Sequence, residues 1–258
     1  MQRNPPVIHS RILYSISVPG VSSLKFRVLT CTAILAACVL GQPAADTPDP
    51  VLDHYTAATR QQEKSLEGAS MDVDIDASLP KLQKHGKLHA LRRILPLGLI
   101  KYERALFEGD NVVNKEVITR YLTAEVEAQK SQSPAFAVTP ENYKFKSKGM
   151  VQLNGRDTYL YQVSPKQKRE RLFKGDIWID ARTFLKVQES GYLVKNPSIW
   201  LKRVAFVRKY EIRDGVSVPK ATQSVADTRL VGKAEMTIEF SNVALDPKRT
   251  TAAEDAQH

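Results

Sequence analysis

Asp176 and Asp180 lie four residues apart in the stretch Gly175-Asp-Ile-Trp-Ile-Asp180. Two neighbouring carboxylates are the least that general acid and base work on one bond requires, provided their environments push the two pKa values apart. Here Asp176, Trp178 and Asp180 share one face of a strand, with Ile177 and Ile179 on the other, and Asp180-Ala181-Arg182-Thr183 reads as a turn opened by Asp. A return strand from Phe184 to Ser190 follows. A turn aspartate is ordinarily solvated, so the pair is expected to shape a hairpin and not to move protons.

Two other constellations invite metal chemistry and fail on spacing. Asp72, Asp74 and Asp76 suggest a calcium loop, but that loop requires Gly at its sixth position and Glu at its twelfth, where Ala77 and Gln83 stand. His85 and His89 would share one face of a helix, yet they flank Gly86 in a turn and strand and have no acidic third ligand nearby. No glycine-rich phosphate loop, Gly-x-Ser-x-Gly elbow or His-Glu-x-x-His appears. The reading is therefore a non-enzyme with no catalytic residue, no metal and no cofactor.

Apolar residues carry more information. Tyr143 and Phe145, Tyr159 and Tyr161, Trp200, Val204 and Phe206, and Met236, Ile238 and Phe240 recur on one face of successive strands. They are candidates to line a concave ligand-binding surface, although a closed core demands the same pattern. Between Lys115 and Lys130 a helix is expected, capped by Asn114 and ended before Pro134. Its stripe of Val117, Ile118, Tyr121, Leu122 and Ala124 opposes Glu116, Arg120, Glu127 and Lys130. That stripe either covers a cavity and opens to exchange a ligand or is a fixed part of the core.

These residues need a sheet to hold them. Asp49-Pro50 reads as N-cap and first turn of a helix over 50–66, stopped by Gly68. From Ala69 the period becomes two, with Met71, Val73, Ile75 and Ala77 on one face. Strands at 87–95 and 99–108 flank the turn Pro96-Leu97-Gly98. Later runs pair across Asn154-Gly155 (143–153 with 156–164) and Asp214-Gly215 (199–213 with 216–226), dipeptides suited to type I′ turns, before a last strand at 233–243. The expected class is α+β: a curved, largely antiparallel half-barrel sheet of about nine strands with helices covering the concave face. An outer-membrane barrel is excluded, because one face of many strands is charged, as with Lys144, Lys146 and Lys148.

The N-terminal segment reads as an export leader. Val28 to Gly41 is apolar and uncharged after Lys25 and Arg27, too short to span a bilayer. Two cleavage readings stand: Leu35-Ala36-Ala37-Cys38 resembles a lipobox that would make Cys38 a lipidation site, while Val39-Leu40-Gly41 suits an ordinary signal peptidase. The chain is expected to divide into a leader (1–41), a tether (42–49), one domain (50–245) and a disordered tail (246–258). The chain after the leader has no cysteine other than that possible anchor, which excludes disulfides and thiol catalysis. Net charge is +10, spread along the strands. That favours anionic membrane surfaces, for which the basic stretch Pro165 to Lys174 is a candidate and a solvated loop the plainer reading, and nucleic acid is not expected as a partner of an exported protein.

Glycine-x-Ile-Trp-Ile-Asp, a short turn, a return strand toward Glu189-Ser190-Gly191, and then the hairpin Asp214-Gly215-Val216-Ser217-Val218-Pro219 resemble the outer-membrane lipoprotein-sorting proteins of the LolA/LolB-like superfamily. The likeness follows element order over 50–244 and is clearest over 143–244. It implies a half-barrel whose helix-lidded concave face holds acyl chains of a lipid or lipoprotein in the periplasm. It also implies an arginine that holds the lid shut, with Arg92, Arg93 and Arg104 as candidates. An envelope adaptor that uses the fold to present a surface to a protein partner is the alternative.

Overall fold

The computed structural model describes residues 49–130 and 134–246. The leader, Cys38 and all but the last residue of the tether therefore lie outside the described residues, as does the tail beyond Asp246. Helix α1 (Pro50–Ser65) starts as its sequence dictates: Asp49 is extended, its side chain accepts the Val51 amide at 3.1 Å, and Pro50 supplies a ready helical φ. Ten strands then form: β1 (Ser70–Leu79), β2 (Lys84–Ile94), β3 (Ile100–Gly109), β4 (Tyr143–Leu153), β5 (Arg156–Pro165), β6 (Phe173–Asp180), β7 (Lys186–Leu193), β8 (Leu201–Arg213), β9 (Val216–Thr228) and β10 (Lys233–Ala244). That is one more than the expected count of about nine.

All neighbours are antiparallel, in the order β3-β2-β1-β10-β9-β8-β7-β6-β5-β4. Only β1 and β10 are neighbours without being consecutive along the chain. The sheet is open, since the two edges β3 and β4 do not pair. Asn154-Gly155 and Asp214-Gly215 all have positive φ, as type I′ turns require.

The chain between the two edges is helical: α2 (Asn111–Val113), a π-helical turn (Asn114–Thr119) and α3 (Arg120–Lys130) follow without a break. The helix begins earlier than Asn114 predicts. Asp110 is the cap, its carboxylate accepting the amides of Val112 at 2.8 Å and Val113 at 3.3 Å. Asn114 sits inside the helix, buried, and donates to Glu108 O at 3.0 Å. Gly86 permits this approach, since a Cβ there would lie 2.3 Å from Asn114 Oδ1. Nine strand spacings separate the edges by about 43 Å along the sheet. The connection therefore crosses a face: Val113 and Ile118 pack on β1, β2 and β10, whereas Ala128 O accepts from Arg171 in the β5–β6 connection.

Two apolar clusters result. In the first, Met71, Val73, Ile75, Ala77 and Leu79 of β1 meet Leu88, Ala90, Ile238, Val113 and Ile118. In the second, Tyr55 of α1 meets Tyr143, Tyr161, Val163, Phe173, Ile177, Ile179 and Phe206. Helix α1 is also tied down by polar contacts. Tyr161 donates to Asp49 Oδ2 at 2.7 Å, while Gln62 donates to Ser217 O at 2.9 Å and accepts from Ser217 N at 3.3 Å.

The stretch from Gly175 to Gly191 is a hairpin. Gly175 faces Gly191 across β6 and β7, and a Cβ on Gly175 would stand 1.9 Å from Ser190 O. Asp180 is buried and not solvated as its turn position suggested: Oδ1 accepts from Arg182 N, Thr183 N and Thr183 Oγ1 at 3.1, 2.9 and 3.0 Å, and Oδ2 meets Arg156 at 3.2 Å. Burial would raise its pKa, but these donors together lower it. It closes the turn between β6 and β7.

Candidate ligand-binding cavity

Charged groups stand where β-strand alternation calls for apolar ones. In β2, Leu88, Ala90, Arg92 and Ile94 point inward, so Arg92 enters the first cluster. Its Nη2 reaches Glu125 of α3 at 3.0 Å, its Nη1 lies 3.6 Å from Met71 Sδ, and its guanidinium stands 5.9 Å from the Phe240 ring centroid. Tyr102 of β3 donates to the other oxygen of Glu125 through a short hydrogen bond. The Arg92 Nε is buried without a partner. Burial alone would lower the Arg92 pKa; Glu125 and Tyr102 more than reverse that. Of the three candidate arginines, Arg92 is the one that joins the sheet to the crossing helix. Arg93 pairs with Glu103 at 3.1 Å, and Arg104 is exposed at a positive φ.

A second ionic group lies on β7 and β8. Glu189, 2% exposed, accepts from Lys186 at 2.5 Å, Arg208 at 2.9 Å and Tyr210 at 3.0 Å. Burial would raise its pKa, but Lys186 and Arg208 outweigh that and hold it at about 2. Burial pushes the Tyr210 phenol up to about 12, with Glu189 adding to the rise.

Between these two groups is a cavity of about 2080 Å³, walled by β2, β8, β9 and β10 and by α1 and α3. It exceeds the ~300–1,000 Å³ of an ordinary small-molecule pocket. Its size suits a long chain more than a metabolite.

The residues singled out in the sequence divide by position. Val117, Tyr121, Trp200, Val204, Phe206, Met236 and Phe240 line the cavity. Ile118 and Ile238 are fully buried in the first cluster, on which Leu122 also packs. Tyr143 and Tyr161 are buried in the second cluster, with Phe145 and Tyr159 packed against it. Arg92, Glu125 and Tyr102, and Glu189, Lys186 and Arg208, were not read as two groups; the available signal was the inward parity of Arg92, Glu189 and Arg208 in their strands.

At one end of the cavity three connections bring exposed apolar side chains together: Leu82 (42% exposed), Ile199 (78%), Trp200 (53%) and Leu230 (71%). The last two connections are joined by Arg229, whose amide donates to Trp200 O at 2.9 Å and whose Nε donates to Ile199 O at 2.7 Å. Lys81 packs beside Gly232 at the same rim. On the outer face Asp74 pairs with His89 at 2.8 Å, Asp76 with Lys87 at 3.4 Å, and Asp72 accepts from Asn242 at 2.8 Å. No group of three or more His, Cys, Asp or Glu able to hold a metal occurs among the described residues. No helix among them is long and apolar enough to cross a membrane.

No protein-family model and no curated protein matches the sequence. Among solved structures, the chain is similar to a DUF1329 family protein from Desulfovibrio piger, at 15% identity and a TM-score of 0.43, covering 78% of this chain and 95% of that one. It is similar to a putative outer membrane lipoprotein-sorting protein domain from Vibrio parahaemolyticus, at 13% identity and a TM-score of 0.38, covering 76% and 92%. It is also similar to a LolA superfamily protein from Nitrosomonas europaea, at 9% identity and a TM-score of 0.35, covering 74% and 93%.

Proposed function

We propose that this chain is a non-enzymatic carrier of a hydrophobic ligand, the acyl chains of a lipid or lipoprotein, in the bacterial cell envelope. The observation that carries the reading is the cavity of about 2080 Å³ with Val204, Phe206, Met236 and Phe240 on its sheet side. In this reading the helices cover the concave face, and α3 is a lid latched by Arg92 and Glu125. A buried acyl chain gains about 0.8 kcal/mol per methylene, so a carrier that enclosed it permanently could hardly release it. A latch of one ion pair supplies a way out.

The apolar and basic rim formed by Leu82, Ile199, Trp200, Leu230, Lys81 and Arg229 supports exchange of the ligand at an anionic membrane surface. This reading puts the chain in the periplasm, and the Leu-Ala-Ala-Cys38 pattern supports an acylated Cys38 as its anchor. Native mass spectrometry of the purified protein tests the carrier reading. Co-purifying lipid is the expected result, and a protein that is empty after extraction with lipid vesicles overturns it. Cys38→Ala tests the anchor: a variant cleaved and fractionated as wild type excludes acylation.

A second reading is an envelope adaptor. The edge strand β3 leaves Leu106 65% exposed and Phe107 44% exposed. An unpaired edge of that kind offers backbone groups to a partner's strand.

A further inference from the structure

Along β8, Val204, Phe206, Arg208 and Tyr210 alternate onto the inner face, so an apolar wall carries a guanidinium in its middle. Arg208 stands 4.4 Å from the Phe206 ring centroid and spends one donor on Glu189 at 2.9 Å. The same carboxylate also serves Lys186. One anion therefore answers two permanent cations, and the group keeps one net positive charge. On the crossing helix Glu125 is committed to Arg92 and Tyr102.

The surplus is placed at Arg208. Its side chain lines the cavity and is 43% accessible, while that of Lys186 is only 22% accessible. A guanidinium has five N–H donors in a planar fork that matches carboxylate and phosphate oxygens. Among the described residues Glu189 is the only acceptor that Arg208 engages.

We propose that Arg208 is an anion-binding subsite of the cavity. It takes the single negative head, carboxylate or phosphate, of an acyl-chain ligand whose tail lies along Val204, Phe206, Met236 and Phe240. The proposal rests on the carrier reading and narrows it: the ligand is an anionic amphiphile, not a neutral lipid.

Titration calorimetry at pH 8 with decanoate, decyl phosphate and decanol tests this, since the three share a tail and differ in charge. Wild type is expected to bind the two anions at least tenfold more tightly than decanol. In Arg208→Gln that preference should disappear while decanol still binds, which also shows that the cavity is intact; Arg208→Lys should keep part of it. Equal affinity of wild type for decanoate and decanol overturns the subsite and leaves the carrier reading standing, as does an undiminished preference in a folded Arg208→Gln. Binding of none of the three overturns both. Inorganic phosphate, read by thermal shift, separates the sources: stabilisation by phosphate alone, without preference for the acyl anions, would make the site one for a free anion and overturn the amphiphile.

Discussion

Replacing Glu125 by Gln tests whether α3 is a latch or a girder. The amide keeps the shape of the carboxylate and one acceptor for Arg92, but it removes the charge that makes the 3.0 Å contact strong. A hydrogen bond to a charged group is worth about 1.5–3 kcal/mol against roughly 1 for a neutral pair. The Tyr102 contact can survive by reversing its direction, so the net loss is about 2 kcal/mol, borne by a buried Arg92 left without a counter-charge. If α3 opens to exchange ligand, that loss falls on the opening step. At 1.4 kcal/mol per decade, release of a fluorescent fatty acid in stopped flow should quicken roughly 30-fold. Hydrogen exchange supplies the control: protection over 111–130 should fall by about 2 kcal/mol while that of β5 to β8 stays as in wild type. If protection falls equally throughout, or release is unchanged, α3 is a fixed part of the core and the latch argument fails.

The Glu189 carboxylate, held at about 2 in the fold against an ordinary 4.5, contributes stability that is present above pH 4.5 and lost as pH falls toward 2. Urea titrations should therefore show wild type losing about 2 kcal/mol more than Glu189→Gln between pH 7 and pH 3; identical losses would discredit the assignment. Ala124→Asp, facing the cavity, should leave the melting temperature near wild type and abolish probe binding, whereas Ile118→Asp, fully buried, should unfold the domain. The reverse pattern would mean that the cavity face of the helix is misassigned. Gly175→Ala drives a methyl to within 1.9 Å of Ser190 O and should cost about 3 kcal/mol in chemical denaturation; a cost under 1 would show that β6 and β7 are not in the Gly175–Gly191 register. Ile199→Ser, at a rim residue outside the cavity lining, should weaken binding to anionic vesicles severalfold without changing ligand affinity, and undiminished sedimentation with vesicles would remove the rim from the exchange route.

Much of the sheet was legible because its signals are local. Asn154-Gly155 and Asp214-Gly215 can adopt the positive φ of type I′ turns at little cost, and they fix the register of the strands on either side. The start of the crossing helix was misread because Asp110 and Asn114 are equally good caps by type. What decides between them is Gly86, distant in sequence, which admits Asn114 against β2. The cavity was half legible. Period-two patterns place Val204 and Phe206 on the inner face, but nothing local says that α1 covers Tyr143 and Tyr161 and leaves Trp200 and Phe240 open. The two ionic groups were missed for a related reason. A lone Arg92 or Glu189 at inward parity reads as an irregularity until the fold brings Glu125 or Arg208 beside it.

The pairing of β1 with β10 bears on how the protein is made. Synthesis delivers β1 nearly first and β10 nearly last, with more than a hundred residues between them. Until β10 arrives, β1 has a bare edge, and β1 to β3 cannot join β4 to β9. The first apolar cluster lacks Ile238 and Met236 over the same interval. Non-local closure of this kind is slow, so the sheet is completed only after nearly the whole chain is available. A stop codon just before Lys233 would thus leave two unjoined sheets with sticky margins at β1 and β9, the form that proteases and chaperones would meet.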